Sequence, residues 1–335
     1  MHRRRHLVLG SAAAAIGAAG PATLGRPAAA QGAAGNWPNQ PVRMVVPFAA
    51  GGPTDVPARL IAEELSKVLP QRVVVENRTG SGVVVGTEVV AKAPKDGQTV
   101  LYTTIAHSVL PALFPRLPFD PVADFTPVVL VGQIPMILMV NKDFPAQTLP
   151  DLIRLCRENP GRYDYASSGN GGAVHLATEL FLRQAGGLRV NHIPYRGSSA
   201  ALPDVLSGRV PMIVDVAASA LPYIQRGDLR GLAISTRERA PFAPDLPTFI
   251  EGGVPDYEAY TWHMMLVPAG TPQPVVEALN AAVNRVLQQE AIRQRLTELT
   301  MQLASDTTPA GAVRWMQGEM EKWGAIIRQA GITVN

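Results

Sequence analysis

A single cysteine, Cys156, stands among 335 residues. That scarcity excludes a disulfide scaffold and any zinc site built from paired thiolates. Charged residues are also few, at 17%, while hydrophobic ones reach 47%, a balance that excludes intrinsic disorder. No run beyond residue 30 reaches the ~20 apolar residues of a membrane span. The most apolar one, 127–140, is interrupted by Gly132, Gln133 and Pro135. Signatures of phosphate-binding and hydrolytic enzymes are missing as well: there is no P-loop, no G-x-S-x-G elbow and no H-E-x-x-H. The length that remains suits about two domains.

Acidic residues are absent from the first thirty positions, which hold Arg3, Arg4, Arg5 and Arg26. A basic start, the short apolar stretch Leu7-Val8-Leu9-Gly10 with the Ala/Gly run after it, and Ala28-Ala29-Ala30 fit a secretory signal peptide over 1–30, cleaved near Ala30. Pro21 cuts the stretch too short for an anchor, and no cysteine is present at the cut for lipidation. The general secretory path and the twin-arginine route both suit Arg4-Arg5. Without those four arginines, 26 basic residues face 27 acidic ones. The formal net charge of +3 and the pI near 9.1 therefore belong to the precursor. A near-neutral chain without a basic stripe gives no support for nucleic-acid binding.

What the sequence does have is alternation. Val42–Phe48 is a nearly continuous apolar run of the kind a buried parallel strand shows. Ala49-Ala50-Gly51-Gly52-Pro53 turns it into a helix from Thr54 or Asp55 to about Leu69. Strand 72–76, a helix to about Ala93 and strand 99–103 follow, an α/β pattern with a mostly parallel sheet. A Pro-rich connection leads to strands at 128–131 and 136–140. A second series then runs through helix 149–158, strand 163–166, helix 173–184, strand 189–194, helix 199–206 and strands 210–214 and 229–235. Segment 240–251 is too rich in proline for a core element, and 260–267 is a strand able to return to the first series. The last third is helical, over 272–288, 290–299 and 308–329. There Val313, Met316, Met320, Trp323 and Ile327 form one apolar stripe, which places Trp323 in a core. Cys156 lies on the apolar side of helix 149–158 and reads as a buried, inert thiol.

Two junctions carry the chemistry. Phe48–Asp55 passes from strand through two glycines to a helix N-terminus, whose free N–H groups and dipole favour an anion. Thr54 or Asp55 also suits a helix cap there, worth roughly 1 kcal/mol. Ser167-Ser168-Gly169-Asn170-Gly171-Gly172 is a junction of the same kind in the second series, with His175 in the first helical turn. Ligands of parallel α/β sheets gather beyond the carboxyl ends of the strands, so two such loops predict a cleft that closes on a small anion. Gly80-Ser81-Gly82 with Gly86 departs from the dinucleotide fingerprint in spacing. His175 and Glu179, four apart on one helix, suit an exposed pair or a ligand contact better than a metal site. Neither a cofactor nor a metal is expected, and no nucleophile–base pair emerges from spacing.

Several phrases resemble one family. Val45-Val46-Pro47-Phe48-Ala49-Ala50-Gly51-Gly52-Pro53-Thr54-Asp55, Val74-Val75-Glu76-Asn77-Arg78-Thr79-Gly80, Leu117-Pro118-Phe119-Asp120-Pro121, Tyr165-Ala166-Ser167-Ser168-Gly169, His192-Ile193-Pro194-Tyr195-Arg196-Gly197 and Val267-Pro268-Ala269-Gly270-Thr271-Pro272 are similar to the tripartite tricarboxylate transporter substrate-binding receptors, the Bug family. The likeness runs in order along the chain. It implies a two-lobed periplasmic binding protein of type II topology, with mixed, mostly parallel sheets and a hinge of two crossings. Lobe 1 would be 31–140 with 262–335, and lobe 2 would be 141–261. It further implies a non-enzymatic receptor, monomeric and periplasmic, that holds a small carboxylate through backbone groups and waters and delivers it to integral membrane transporter subunits. A sensor subunit and an exported enzyme using His175 with Asp55 are the alternatives. Carried over by position, the binding residues would be Phe48, Gly51, Gly52, Thr54, Asp55, Thr104 and His107 from the first lobe. From the second would come Ser168, Gly169, Asn170, His175, Tyr195, Arg196, Gly197 and Asp215. Ala50 where many relatives have proline, Val214 before Asp215, and Ile105-Ala106-His107-Ser108 depart from the family's usual wording.

Overall fold

The computed structural model describes residues 37–80 and 83–334. The proposed signal peptide, and Ser81 and Gly82, lie outside them. Within them the two α/β series share one long strand. The first series is β1 (Val42–Val46), α1 (Asp55–Val68), β2 (Val73–Asn77), α2 (Val84–Ala91), β3 (Thr99–Thr104) and α3 (Ile105–Leu113). Next come β4 (Phe125–Asn141), α4 (Leu149–Glu158), β5 (Asp164–Ser167), α5 (Ala173–Gln184), β6 (Asn191–Pro194), α6 (Ser198–Leu206), β7 (Met212–Val216), α7 (Ala217–Gln225) and β8 (Leu229–Ile234). The return is β9 (Tyr260–Pro268), α8 (Gln273–Leu287), α9 (Glu290–Glu298), β10 (Gln302–Leu303) and α10 (Pro309–Ala330).

Strand order is β2-β1-β3-β9-β4-β7-β5-β6, with β8 and β10 also paired to β4. β1 is parallel to β2 and β3, and β5 is parallel to β6 and β7, while β4 and β9 run antiparallel to their neighbours. The sheet is thus mixed, and the fold is the two-lobed α/β architecture. β3 is buried at every position and β1 at all but Arg43, which is why both read as continuous apolar runs.

The chain differs from its sequence reading most in β4, a single 17-residue strand in place of two short ones. Residues 125–135 pair with β9, and from Met136 on the strand pairs with β7 and β8. Pro135, which lacks an N–H, falls where the partner changes, so no ladder bond is lost there. Gly132 is required by close approach: a Cβ there would lie 2.6 Å from the Gln302 carbonyl oxygen. Register shifts at 127/129 and 130/132 absorb the remaining irregularity. The sequence breaks are therefore bulges within one strand.

Where β4 passes from one lobe to the other, Ser235 ties the crossing segments. Its Oγ accepts from the Met136 N–H at 2.8 Å and donates to the Ala259 carbonyl, and its own N–H donates to the Met136 carbonyl at 2.9 Å. α10 braces the same region: the indole N–H groups of Trp262 and Trp323 both donate to Glu319 Oε2, at 2.9 and 2.7 Å. Trp323 is buried, as its stripe predicts. Cys156 is buried too, and burial pushes its thiol up to about 11.

Two helices escaped the sequence reading. α3 begins directly after β3, with Thr104 Oγ1 accepting from the Ala106 N–H as a cap. α7 begins directly after β7. Each contains a proline, Pro111 and Pro222, and each follows its strand without a linker, so strand and helix merge in the sequence and only Thr104 marks a start.

Candidate functional site

The loop of residues 48–54 joins β1 to α1 and is organised from behind by one carboxylate. Asp55 is buried, and its Oδ2 accepts from the Gly51 N–H at 2.7 Å and from Arg59 Nε at 2.8 Å. Asn77 donates to Asp55 Oδ1 at 2.8 Å and to the Phe48 carbonyl at 3.0 Å, and Arg59 also reaches Asn77 Oδ1 at 2.8 Å. Burial alone would raise the Asp55 pKa. The bonds from Arg59, Gly51 and Asn77 outweigh it and hold the carboxyl below its ordinary value. Thr54 makes no side-chain cap bond. Gly51 has φ +75°, so the turn that presents the loop amides needs a residue without a Cβ penalty.

The loop after β5 is built without charge. Gly171 donates its N–H to His175 Nδ1 at 2.9 Å, which fixes the neutral tautomer with the proton on Nε2. His175 stacks on His192 with ring centroids 3.9 Å apart, and His192 stacks on Tyr165 at 4.9 Å. Ser167 Oγ lies 2.5 Å from His192 Nε2 and accepts from the Gly169 N–H at 3.1 Å. Burial, then the neighbouring His192, presses the His175 pKa down to about 3, and burial takes His192 down to about 4. The adjoining turn is locked to this loop by the Gly197 N–H, which donates to the Ser168 carbonyl at 3.2 Å.

Between these loops is a cavity of about 810 Å³ lined from both lobes. Ten of the residues singled out by sequence line it: Phe48, Gly51, Gly52, Thr54, Thr104, Ser168, Gly169, Asn170, Gly197 and Asp215. Five do not. Asp55 and His175 each stand behind a loop and hold it, as described. His107 is fully buried, with Nε2 2.8 Å from the Pro121 carbonyl oxygen and its ring edge-on to Phe125. Burial lowers its pKa to about 4 despite that carbonyl. Tyr195 turns away to donate to Asp204 Oδ2 at 2.6 Å, and Arg196 is exposed outside the lining. These five thus stand behind the loops or outside the cavity lining. The enzyme alternative loses its acid–base pair with them. Glu179 accepts from the Tyr165 hydroxyl at 2.6 Å, and His175 Nδ1 is taken up by the Gly171 N–H. Among the described residues no group of three His, Cys, Asp or Glu side chains is placed to hold a metal.

The cavity also has members that the sequence did not announce. His263 and Thr261 come from β9, inside a run that reads as plain apolar strand. His263 Nδ1 lies 3.1 Å from the Tyr102 hydroxyl, and burial takes its pKa down to about 3. Ser198 donates to Asp215 Oδ1 at 2.8 Å, as does the Val216 N–H at 2.8 Å. Asp215 Oδ2 has no partner. Burial raises this carboxyl to about 6 despite those two bonds. No lysine, arginine or glutamate is found among the described lining residues. What the lining offers is backbone N–H groups, hydroxyls and helix N-termini.

The profile of the tripartite tricarboxylate transporter family receptor matches residues 57–332. The protein in the tcbD-tcbE intergenic region of Pseudomonas sp. strain P51 is 37% identical over 300 residues, 89% of this chain and 89% of its own. The structure of Rpa4515 from R. palustris with adipate superposes with a TM-score of 0.79 at 35% identity, over 89% of this chain and 100% of its own. MatC from Rhodopseudomonas palustris with bound malate gives 0.76 at 34% identity, over 87% of this chain and 100% of its own. With its fold, its two facing loops and these relatives in agreement, this chain belongs to the receptors of the tripartite tricarboxylate transporter family.

Proposed function

We propose that this protein is an exported, monomeric receptor, not an enzyme. It captures a small organic carboxylate between two lobes, residues 31–140 with 262–335 and residues 141–261, and presents it to integral membrane transporter subunits. The periplasm is its place of work, reached through the signal peptide over 1–30. One observation carries the reading: two glycine-rich strand–helix loops face one cavity of about 810 Å³ from opposite lobes, with no lysine or arginine among its described lining residues. Loop amides and helix N-termini suit a carboxylate, and related receptors have been seen with adipate and with malate.

Turning a mostly open receptor into a mostly closed one requires on the order of 5 kcal/mol of differential affinity. Two exposed helix termini supply only ~0.3–1 kcal/mol each. Desolvated hydrogen bonds and bridging waters therefore provide most of the closure energy. A thermal-shift panel of carboxylic acids tests the reading. A true ligand at a hundred times its Kd stabilises the protein by ~2.7 kcal/mol, and no shift with any carboxylate overturns it. Turnover of a bound acid would overturn the receptor assignment.

A further inference from the structure

One helix touches both α/β series. α10 packs on α3 and β4 and also on α5. At its middle, beside the crossing, Glu319 holds the Trp262 and Trp323 indoles, and Lys322 Nζ donates to the Glu258 carbonyl at 2.7 Å. In its last turn it meets α5, where Arg183 Nη1 donates to Gln329 Oε1 at 2.8 Å. The chain then turns at Gly331, with the Ile332 N–H donating to the Ile327 carbonyl at 3.1 Å, and brings Val334 into the cavity lining. Neither Arg183 nor Gln329 lines the cavity.

Arg183 is held by two opposed effects. Its Nη1 has the Gln329 amide oxygen, but its Nε is buried without a partner. A charged donor shut away from water without an acceptor destabilises the arrangement that contains it. The bond to Gln329 favours the same arrangement. Since a hydrogen bond does not persist much beyond ~3.5 Å, a slide of α5 against α10 by about 1 Å ends the bond and wets the guanidinium. The contact is therefore weakly biased, as a contact between two moving bodies must be.

We propose that Arg183 and Gln329 form a latch between the lobes, outside the cavity, that sets how much of the ligand-free protein is closed. The inference rests on the two-lobe reading above and adds a control to it. A ligand held from both lobes binds with an apparent affinity scaled by the closed fraction, so the latch tunes binding without touching the ligand. Loss of one net hydrogen bond changes such a ratio roughly two- to tenfold.

Val56 and Ala200 are exposed beside the lining residues Thr54 and Ser199, and Cys156 is buried. Spin labels on Val56→Cys and Ala200→Cys therefore report the width of the cavity mouth. Dipolar distance measurement on the labelled full chain without ligand is the experiment. Gln329→Ala and Arg183→Ala should each lower the ratio of short to long distance at least threefold. The double variant should be no more open than either single one, since both remove the same bond. Gln329→Glu, which makes the bond charge-assisted, should raise the ratio at least twofold at low ionic strength, and ~1 M salt should erase that gain. Gly171→Ala, which crowds Leu113, serves as an opening control. A longer distance in the control with an unchanged ratio in the Gln329 variants overturns the latch and leaves the two-lobe reading standing. Fully additive opening in the double variant overturns it too. A single unchanging distance in every variant removes the hinged two-lobe reading itself. Gln329 is exposed, so its two variants decide the matter even where Arg183→Ala does not fold.

Discussion

The two loops that face the cavity solve one problem with opposite chemistry. Each must fix a glycine turn ahead of its helix, and each does so with an acceptor in the first helical turn, four residues after the glycine. In the loop after β1 that acceptor is the Asp55 carboxylate, tied to Arg59 and Asn77. In the loop after β5 it is neutral His175, clamped in an aromatic stack. A charged acceptor binds more strongly and fails only in strong acid. A neutral imidazole fails as soon as it must take a proton. The loops therefore share a shape and differ in what breaks them.

Removing the charged acceptor should have the largest effect. Asp55→Ala leaves the Gly51 N–H, Asn77 and Arg59 without their shared partner, and a loss of about 2–4 kcal/mol is expected in urea unfolding. Ligand affinity should fall at least tenfold with it. Lost stability at intact affinity would mean that the loop is only a structural turn.

Acid should separate the two loops next. Asp55 has a folded pKa below its ordinary 3.8, so its contribution is complete above that value and is lost only as pH falls through the folded value. His175 and His192 are pressed from 6.5 to about 3 and about 4. Below pH 6.5 the unfolded chain takes up protons that the folded loop refuses, so stability declines from 6.5 downward. The slope reaches about 1.4 kcal/mol per pH unit for His175 and is smaller for the less enclosed His192. Hydrogen exchange at pH 5 should show residues 168–172 opening before residues 49–54. In His175→Asn, whose side-chain oxygen can replace Nδ1 as acceptor, the stability lost between pH 7 and 5.5 should shrink by about 1 kcal/mol.

Both loops were legible in the sequence because strand, glycine pair and helix start are local signals. The residues that hold them were harder to place. Asp55 and His175 look like ligand contacts, since a polar side chain in a first helical turn can point forward or back, and only the position of Gly51 or Gly171 decides. His107 is similar: α3 was unseen, and with it the turn that aims the ring at Pro121 and Phe125. His263 stayed hidden for a different reason. Both faces of β9 are buried, so period-two alternation is lost and nothing marks the position that reaches the cavity. The two halves of β4 were legible as strands, but their union depends on β10 approaching Gly132 from a distant part of the chain.

The smallest expected effect compares the glycines themselves. Gly51 and Gly171 have φ of +75° and +69°, so alanine at either costs about 1–2 kcal/mol of backbone strain. Their surroundings differ. A Cβ on Gly51 meets nothing within 4 Å, whereas on Gly171 it lies 2.6 Å from Leu113 Cδ1, a side chain of α3. Strain alone would affect both variants alike. The added methyl of Gly171→Ala also wedges α3 away from the loop after β5, so it acts on closure as well as folding. Matched urea unfolding should therefore show nearly equal stability losses, while ligand affinity falls several-fold further in Gly171→Ala. Small-angle scattering with ligand present should show that variant alone remaining expanded. Equal affinities would mean that Leu113 swings aside freely and that the lobes close without pressing on this loop.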